Sequence, residues 1–241
     1  MIIGDNFVFI HVPRTAGTTA EDLFRSKYGL EPIYGEQHDI FANLEEHDRQ
    51  KFIFGFVRNP YSQEFSNYFY HTQQSGWPHI SFEEWVRLRF DDEIKELEDK
   101  YINQKIIIST NKKKYYRECF DYGSVFCNNS QYGFFCDEYG KCRASKIYRY
   151  EELGESWEDI SERIGMDMRF LEISQDHPSE IYKEYYNDYT YDKITEVRKK
   201  DLELFGYTFD GYSGECSVNY SNGRIPKDYC YVKSTGMFFE L

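Results

Sequence analysis

Two short segments hold residues whose types and spacing suit the binding of an anion. The first is His11-Val-Pro-Arg-Thr-Ala-Gly-Thr-Thr19. It follows an apolar run and precedes a helix-compatible stretch, so it forms a turn at a helix N-terminus. There, backbone N–H groups and the positive end of the helix dipole favour phosphate or sulfate. Arg14 adds a permanent cation with a planar fork of donors. Gly17 lets the backbone come close to a ligand, and Thr15, Thr18 and Thr19 offer hydroxyls. A plain helix cap would look similar, so the second segment matters. It is Val57-Arg-Asn-Pro-Tyr-Ser-Gln-Glu-Phe-Ser-Asn-Tyr68, in which Arg58 ends another apolar run and Ser66 lies two turns into the next helix. A third candidate is His38 in Gly35-Glu-Gln-His38, a residue type whose ordinary pKa suits a general base near neutrality, with Glu36 as the fallback base.

The elements that must position these residues follow from local pattern. Asn6 to Val12 and Lys51 to Val57 are continuous apolar runs, read as strands buried on both faces and stopped at Pro13 and at Arg58-Asn-Pro60. Thr18 and Thr19 are the expected N-caps of a helix through Lys27, with Gly29 as its stop. A second helix carries Phe65, Tyr68 and Phe69 on one face. A third runs from Ser81 to about Lys100, opened by a Ser81/Glu84 capping box. A strand at Ser145 to Tyr150 leads to a helix from about Ser156 to Ile164 that stops at Gly165, and Glu184 to Phe205 forms a long final helix ended by Gly206. Residues 101–145, which include Lys112-Lys-Lys114, read as loops and short elements. The pattern is α/β, one domain over residues 1–210 with an irregular tail, 211–241, packed on it. Its parallel sheet is covered on both faces, and ligands bind beyond the carboxyl ends of the strands, where both turns lie.

Composition narrows the partners. The chain has 29 Lys+Arg against 42 Asp+Glu, a net charge of −13, which repels nucleic acid and anionic membranes and confines any polyanion to a local site. With no long apolar run and no signal-peptide pattern, the reading is cytoplasmic, without a membrane partner. Six Cys without a C-x-x-C spacing make zinc a poor expectation and free thiols the simple one, with Cys127 and Cys136 able to close a hairpin in an oxidising compartment. The remaining histidines, His47, His71, His79 and His177, show no metal-ligand spacing. His11 reads as a structural residue supporting the loop. Arg149 and Glu151 read either as nucleotide contacts or as a structural ion pair.

Phe9-Ile-His-Val-Pro-Arg-Thr-Ala-Gly-Thr-Thr19 resembles the 5′-phosphosulfate loop of the carbohydrate sulfotransferases related to heparan sulfate 2-O- and 6-O-sulfotransferases, F-x-H-x-P-K-T-G-G-T-S/T. Val57 to Tyr68 resembles their 3′-phosphate site, R-x-P-x-x-R-x-x-S-x-Y, and weaker similarity continues to about residue 210. The resemblance implies a P-loop-like three-layer fold and a sulfuryl donor, 3′-phosphoadenosine 5′-phosphosulfate, used without a metal. It implies an acceptor hydroxyl on a small molecule or oligosaccharide. By the same match Arg14, Thr15, Ala16, Gly17, Thr18 and Thr19 cradle the 5′-phosphosulfate, and Arg58 and Ser66 hold the 3′-phosphate. Arg14 and His38 are the implied catalytic residues. The chain departs from the family at Arg14, where Lys is usual, and at Gln63, which stands in place of a second Arg. Two alternatives are a kinase using ATP and magnesium, disfavoured because the Lys of a Walker A loop is missing, and a nucleotide-binding module without catalysis.

Overall fold

The computed structural model describes residues 1–32, 38–72, 80–91, 130–137, 139–168 and 180–214, and the backbone of 229–232 and 237–240. Its centre is a four-stranded sheet of β1 (Ile2–Ile3), β2 (Phe7–Ile10), β3 (Phe52–Val57) and β4 (Lys146–Arg149), paired in that order. The helices among the described residues are α1 (Gly17–Tyr28), α2 (Pro60–Thr72), α3 (Phe82–Phe90), α4 (Leu153–Ile164), α5 (Asp188–Val197) and α6 (Lys199–Phe205). Strands β2, β3 and β4 are parallel, with Val8 opposite Ile53 and Phe56 opposite Tyr148. β1 runs antiparallel along β2, so the sheet is mixed, not wholly parallel as expected. A strand of two residues carries no periodic signal that a sequence reading could use.

The parallel strands are apolar throughout because both their faces are covered. Alternation along each strand sorts the side chains by shape. Val8, Ile10, Ile53, Val57 and Ile147 belong to one core, and Phe7, Phe9, Phe54, Phe56 and Tyr148 to the other. α1 packs on the aromatic face through Ala20 and Phe24, and α4 through Leu153, Trp157, Ile160 and Ile164. Each fully buried large side chain contributes about 1.5–3 kcal/mol. The aliphatic face is closed by 3-10 turns at Phe41–Asn43 and Tyr132–Phe135 and by Phe205.

α2, α3 and α5 build a third cluster around Tyr61, Phe65, Phe82, Trp85 and Ile194. Asn59 caps α2, its Oδ1 accepting from Tyr61 N–H at 3.1 Å, and Pro60 occupies the first helical position, where its missing N–H is harmless. The Ser81/Glu84 capping box opens α3 as expected, with Glu84 N–H on Ser81 Oγ at 3.2 Å. Glu64 of α2 is fully buried here. It accepts from Trp85 Nε1 (2.9 Å) and Arg198 Nη2 (3.1 Å), and Arg89 Nη1 lies 3.1 Å away. Burial pushes the Glu64 carboxyl up, but the two guanidiniums outweigh it and hold the group below its ordinary range.

That ionic cluster corrects one expectation. The single helix expected from Glu184 to Phe205 is two, α5 and α6, broken at Arg198, whose backbone leaves helical values (φ −107°, ψ 9°) and whose guanidinium reaches Glu64. Residues Ile181–Tyr185 form a separate 3-10 turn, and Asn187 caps α5 in a capping box with Thr190. α4 begins at Leu153, three residues before the expected Ser156, and stops at Gly165. Tyr207–Thr208 (β5) pairs antiparallel with Gly211–Tyr212 (β6), and Tyr229–Val232 (β7) with Met237–Glu240 (β8). The segment 211–241, expected to be irregular, therefore contains three strands.

Cys136 and Cys142 face each other in an isolated antiparallel bridge, both buried and neither in a disulfide. Cys127, the Lys112-Lys-Lys114 run, Glu36 and the second half of the helix expected to reach Lys100 lie outside the described residues. Among those described, no helix is long and apolar enough to cross a membrane.

Candidate functional site

The turn after β2 is strained in a specific way. Arg14 (φ 64°) and Ala16 (φ 71°) both adopt the left-handed region, which costs a residue with a Cβ about 1–2 kcal/mol. Strain of this kind persists only where the surrounding structure enforces it, and left-handed residues in a turn gather backbone N–H groups into an anion-binding concavity. Thr15 is fully buried, and its hydroxyl donates to Val12 O at 2.8 Å. It closes the turn, so the expectation that this hydroxyl faces a ligand is corrected; what Thr15 can still present is its backbone. Ala16 occupies the N-cap position of α1, and its carbonyl accepts from Ala20 N–H at 3.2 Å. Thr18 and Thr19, expected as caps, therefore stand inside the first turn, exposed and half-buried respectively. No side chain caps α1 and its first turn holds no acidic residue, so the N–H groups of this helix start keep their affinity for an external anion.

Beneath the loop lies His11, 1% exposed. Its Nδ1 is 3.0 Å from Oε1 of Glu21, and the Met1 amino group is 3.5 Å from the same oxygen. Burial lowers the His11 pKa despite the carboxylate, so the ring is neutral at pH 7. A Cβ added to Gly17 would fall 1.8 Å from His11 Cδ2. The glycine expected to admit a ligand from above is thus required by the imidazole packed below. Gly17→Ala is expected to destabilise the fold by about 1–3 kcal/mol through overpacking. Adding His11→Ala should recover part of that loss in denaturant titrations, and strictly additive effects would show that the two residues do not meet.

His38 touches the same histidine. The two rings are 4.2 Å apart at their centroids, and His38 Nδ1 lies 3.2 Å from the His11 carbonyl oxygen. A carbonyl only accepts, so Nδ1 carries the hydrogen and Nε2 is the proton-accepting nitrogen. Burial, with His11 beside it, pushes the His38 pKa down to about 3. The expectation of an imidazole titrating near neutrality is corrected: His38 stays neutral well below pH 7.

Arg58 follows directly on β3. Its Nε donates to Ser62 Oγ (2.9 Å), its Nη1 reaches Arg14 O (3.4 Å), and its guanidinium lies over the Tyr150 ring at 4.3 Å. Among the described residues no carboxylate lies within ion-pair distance of it. The nearby Glu151 is engaged by Asn59 N–H (2.8 Å) and Tyr207 Oη–H (2.7 Å). Burial lowers the Arg58 pKa, yet a guanidinium stays protonated.

Ser66, expected beside Arg58, instead accepts from Arg14 Nε at 3.1 Å. The Arg14 guanidinium also lies 4.5 Å from the centre of the Tyr70 ring. Positions 58, 62, 66 and 70 recur every fourth residue, which puts Ser62, Ser66 and Tyr70 on one stripe of α2 in line with Arg58. Along this stripe Ser62 steadies Arg58 and the next two positions steady Arg14, so the two segments interlock. Gln63, which replaces the second Arg of the resembled pattern, donates through Nε2 to Pro13 O at 2.8 Å and anchors the first loop.

Arg149 is buried, and its terminal nitrogens donate to Phe205 O (2.8 Å) and Gly214 O (3.0 Å), with Glu152 at 3.4 Å. Its acidic neighbour is Glu152 and not Glu151, and it ties β4 to the end of α6. Glu21, Ser62 and Tyr150 are site residues that motif reading missed. Glu21 did leave a signal: an acidic residue between Ala20 and Phe24 on the apolar side of α1. No family model, curated protein or solved structure matches the chain.

Proposed function

We propose that this chain is a sulfotransferase with a P-loop-like fold, which moves a sulfuryl group from 3′-phosphoadenosine 5′-phosphosulfate to a hydroxyl, most naturally of a neutral carbohydrate. The observation that carries the reading is the meeting of two arginines at the strand ends, Arg14 in a strained loop and Arg58, whose Nη1 reaches Arg14 O and which has no carboxylate partner among the described residues. A chain with 42 acidic residues has ample means to neutralise a half-buried arginine. A guanidinium that no described carboxylate neutralises fits a site whose counter-charge is a ligand. The donor is anionic at both ends, which suits two cations steadied by different serines of one α2 stripe, Arg58 by Ser62 and Arg14 by Ser66.

In this reading the backbone from Thr15 to Thr19 and the Arg14 guanidinium take the phosphosulfate, while Arg58 takes the 3′-phosphate. Ser66 Oγ accepts from Arg14, so its own hydrogen is available to donate to either anion. As the acceptor oxygen bonds to sulfur, the bond from sulfur to the leaving phosphate oxygen breaks. Arg14 and the loop N–H groups stabilise the charge that collects there. The hydroxyl proton passes to His38 Nε2. An anion bound beside His38 favours its imidazolium, so its basicity rises when the site is loaded. A net charge of −13 disfavours a strongly polyanionic acceptor.

Thermal denaturation in the presence of a chelator tests the reading. 3′,5′-Bisphosphoadenosine at 100 times its Kd is expected to add about 2.7 kcal/mol, roughly 5–11 °C in Tm for a chain of this size. Labelled donor then reports transfer to neutral oligosaccharides. Stabilisation by ATP only with magnesium would replace this reading with a kinase, and bisphosphate binding without transfer to any acceptor would leave a binding module.

A further inference from the structure

The Arg58 backbone lies one residue past the last β3–β4 pair, Val57 with Arg149, where the ladder has ended. A side chain continues it. Arg58 N–H donates to Gln131 Oε1 at 2.8 Å, and Gln131 Nε2 donates to Arg58 O at 2.7 Å, the reciprocal exchange that a neighbouring strand would make. Gln131 is 1% exposed, and its own backbone is gripped by a residue 70 positions further along the chain. Asp201, fully buried in α6, accepts from Gln131 N–H (2.7 Å), Tyr132 N–H (3.0 Å) and Ser130 Oγ–H (2.8 Å). A buried relay thus runs from Asp201 through Gln131 to Arg58, whose guanidinium has no carboxylate partner among the described residues.

We infer that Gln131 is a positioning residue that sets the backbone of Arg58, and so aims its guanidinium, giving the chain its discrimination for a nucleotide with a 3′-phosphate over one without. The inference rests on the assignment of Arg58 to that phosphate. Both hydrogen bonds act on the main chain, so they control where the Arg58 side chain starts without touching its charge. With them gone, the peptide after Val57 can rotate, and the guanidinium swings away from Ser62 and Tyr150.

Calorimetric titration of the full chain with 3′,5′-bisphosphoadenosine and with adenosine 5′-monophosphate isolates this contribution as the ratio of the two affinities. In Gln131→Met, similar in length but unable to make either bond, the ratio is expected to fall about tenfold, with monophosphate affinity within about twofold of the parent, since one well-placed charged contact is worth at least that much. A merely structural role would weaken both ligands alike, and an unchanged ratio overturns the inference. Should Gln131→Met not fold, Asp201→Asn, which loosens Gln131 from behind, is expected to lower the ratio in the same direction, and a ratio equal to the parent's in that variant overturns the inference equally. A parent chain that does not distinguish the two nucleotides overturns the assignment of Arg58 itself, and the inference with it.

Discussion

Replacing His38 with Ala is expected to cut sulfuryl transfer by about 100- to 10,000-fold, the range for losing a general base, while 3′,5′-bisphosphoadenosine binds within about twofold of the parent. The separation follows from the geometry. The His38 ring is held by the His11 carbonyl, whereas the two guanidiniums are held from α2. The pH profile makes the assignment sharper. With a folded-state pKa of about 3 the base is deprotonated in the free protein, so kcat/KM, which reports the free protein, should keep no acid limb near 6.5. In the loaded complex the ligand's charge raises that pKa, so the acid limb of kcat should lie at higher pH than that of kcat/KM. A fully active His38→Ala chain, or an acid limb of kcat/KM centred near 6.5, removes His38 from this role. The same shift has a stability consequence. His38 binds a proton less readily folded than unfolded, so stability is expected to fall as pH drops below about 6.5. His38→Ala should flatten that decline in denaturant titrations.

Arg58→Ala is expected to weaken 3′,5′-bisphosphoadenosine binding by roughly 30- to 4,000-fold, the equivalent of about 2–5 kcal/mol for truncating one partner of a buried charged contact. Ligand-free stability should change little, because no carboxylate is stranded by the loss: among the described residues the Arg58 guanidinium donates only to Ser62 Oγ and Arg14 O and rests on Tyr150. Arg58→Lys, which keeps the charge without the planar fork, should bind with intermediate affinity. Calorimetry and thermal denaturation of the ligand-free variants distinguish the cases. A protein that loses its fold but not its affinity would make Arg58 a structural residue.

Much of the scaffold was legible locally. The runs at Phe7–Ile10 and Phe52–Val57, the capping box at Ser81 and Glu84, and the glycine stops at Gly29, Gly165 and Gly206 all depend on neighbours a few positions away. Reading failed where a distant partner met the chain or where a local turn or a two-residue strand left no periodic signal. α5 and α6 share one apolar pattern, but the chain breaks at Arg198, whose guanidinium reaches Glu64, 134 residues away. α1 starts before Thr18 because the enforced left-handed turn at Ala16 already opens the helix. Gln131 stood in the least patterned third of the sequence, and nothing around it signalled that its amide would complete a strand.

The sequence alone therefore determined an α/β chain with two strand-to-helix turns, each carrying an arginine and hydroxyl residues, because periodicity, caps and breakers act over one or two turns of chain. Only the tertiary structure decided how those residues pair and ionise. It set Arg14 on Ser66, 52 residues on, and clamped Arg58 with Gln131, 73 residues on. It also committed the Thr15 hydroxyl to the turn and put His11 under Gly17. The reason is physical: hydrogen-bond partners and desolvation depend on what folding brings within about 3 Å and on how much water it removes. A residue's type shows which chemistry is open to it, and its packed surroundings select among the possibilities.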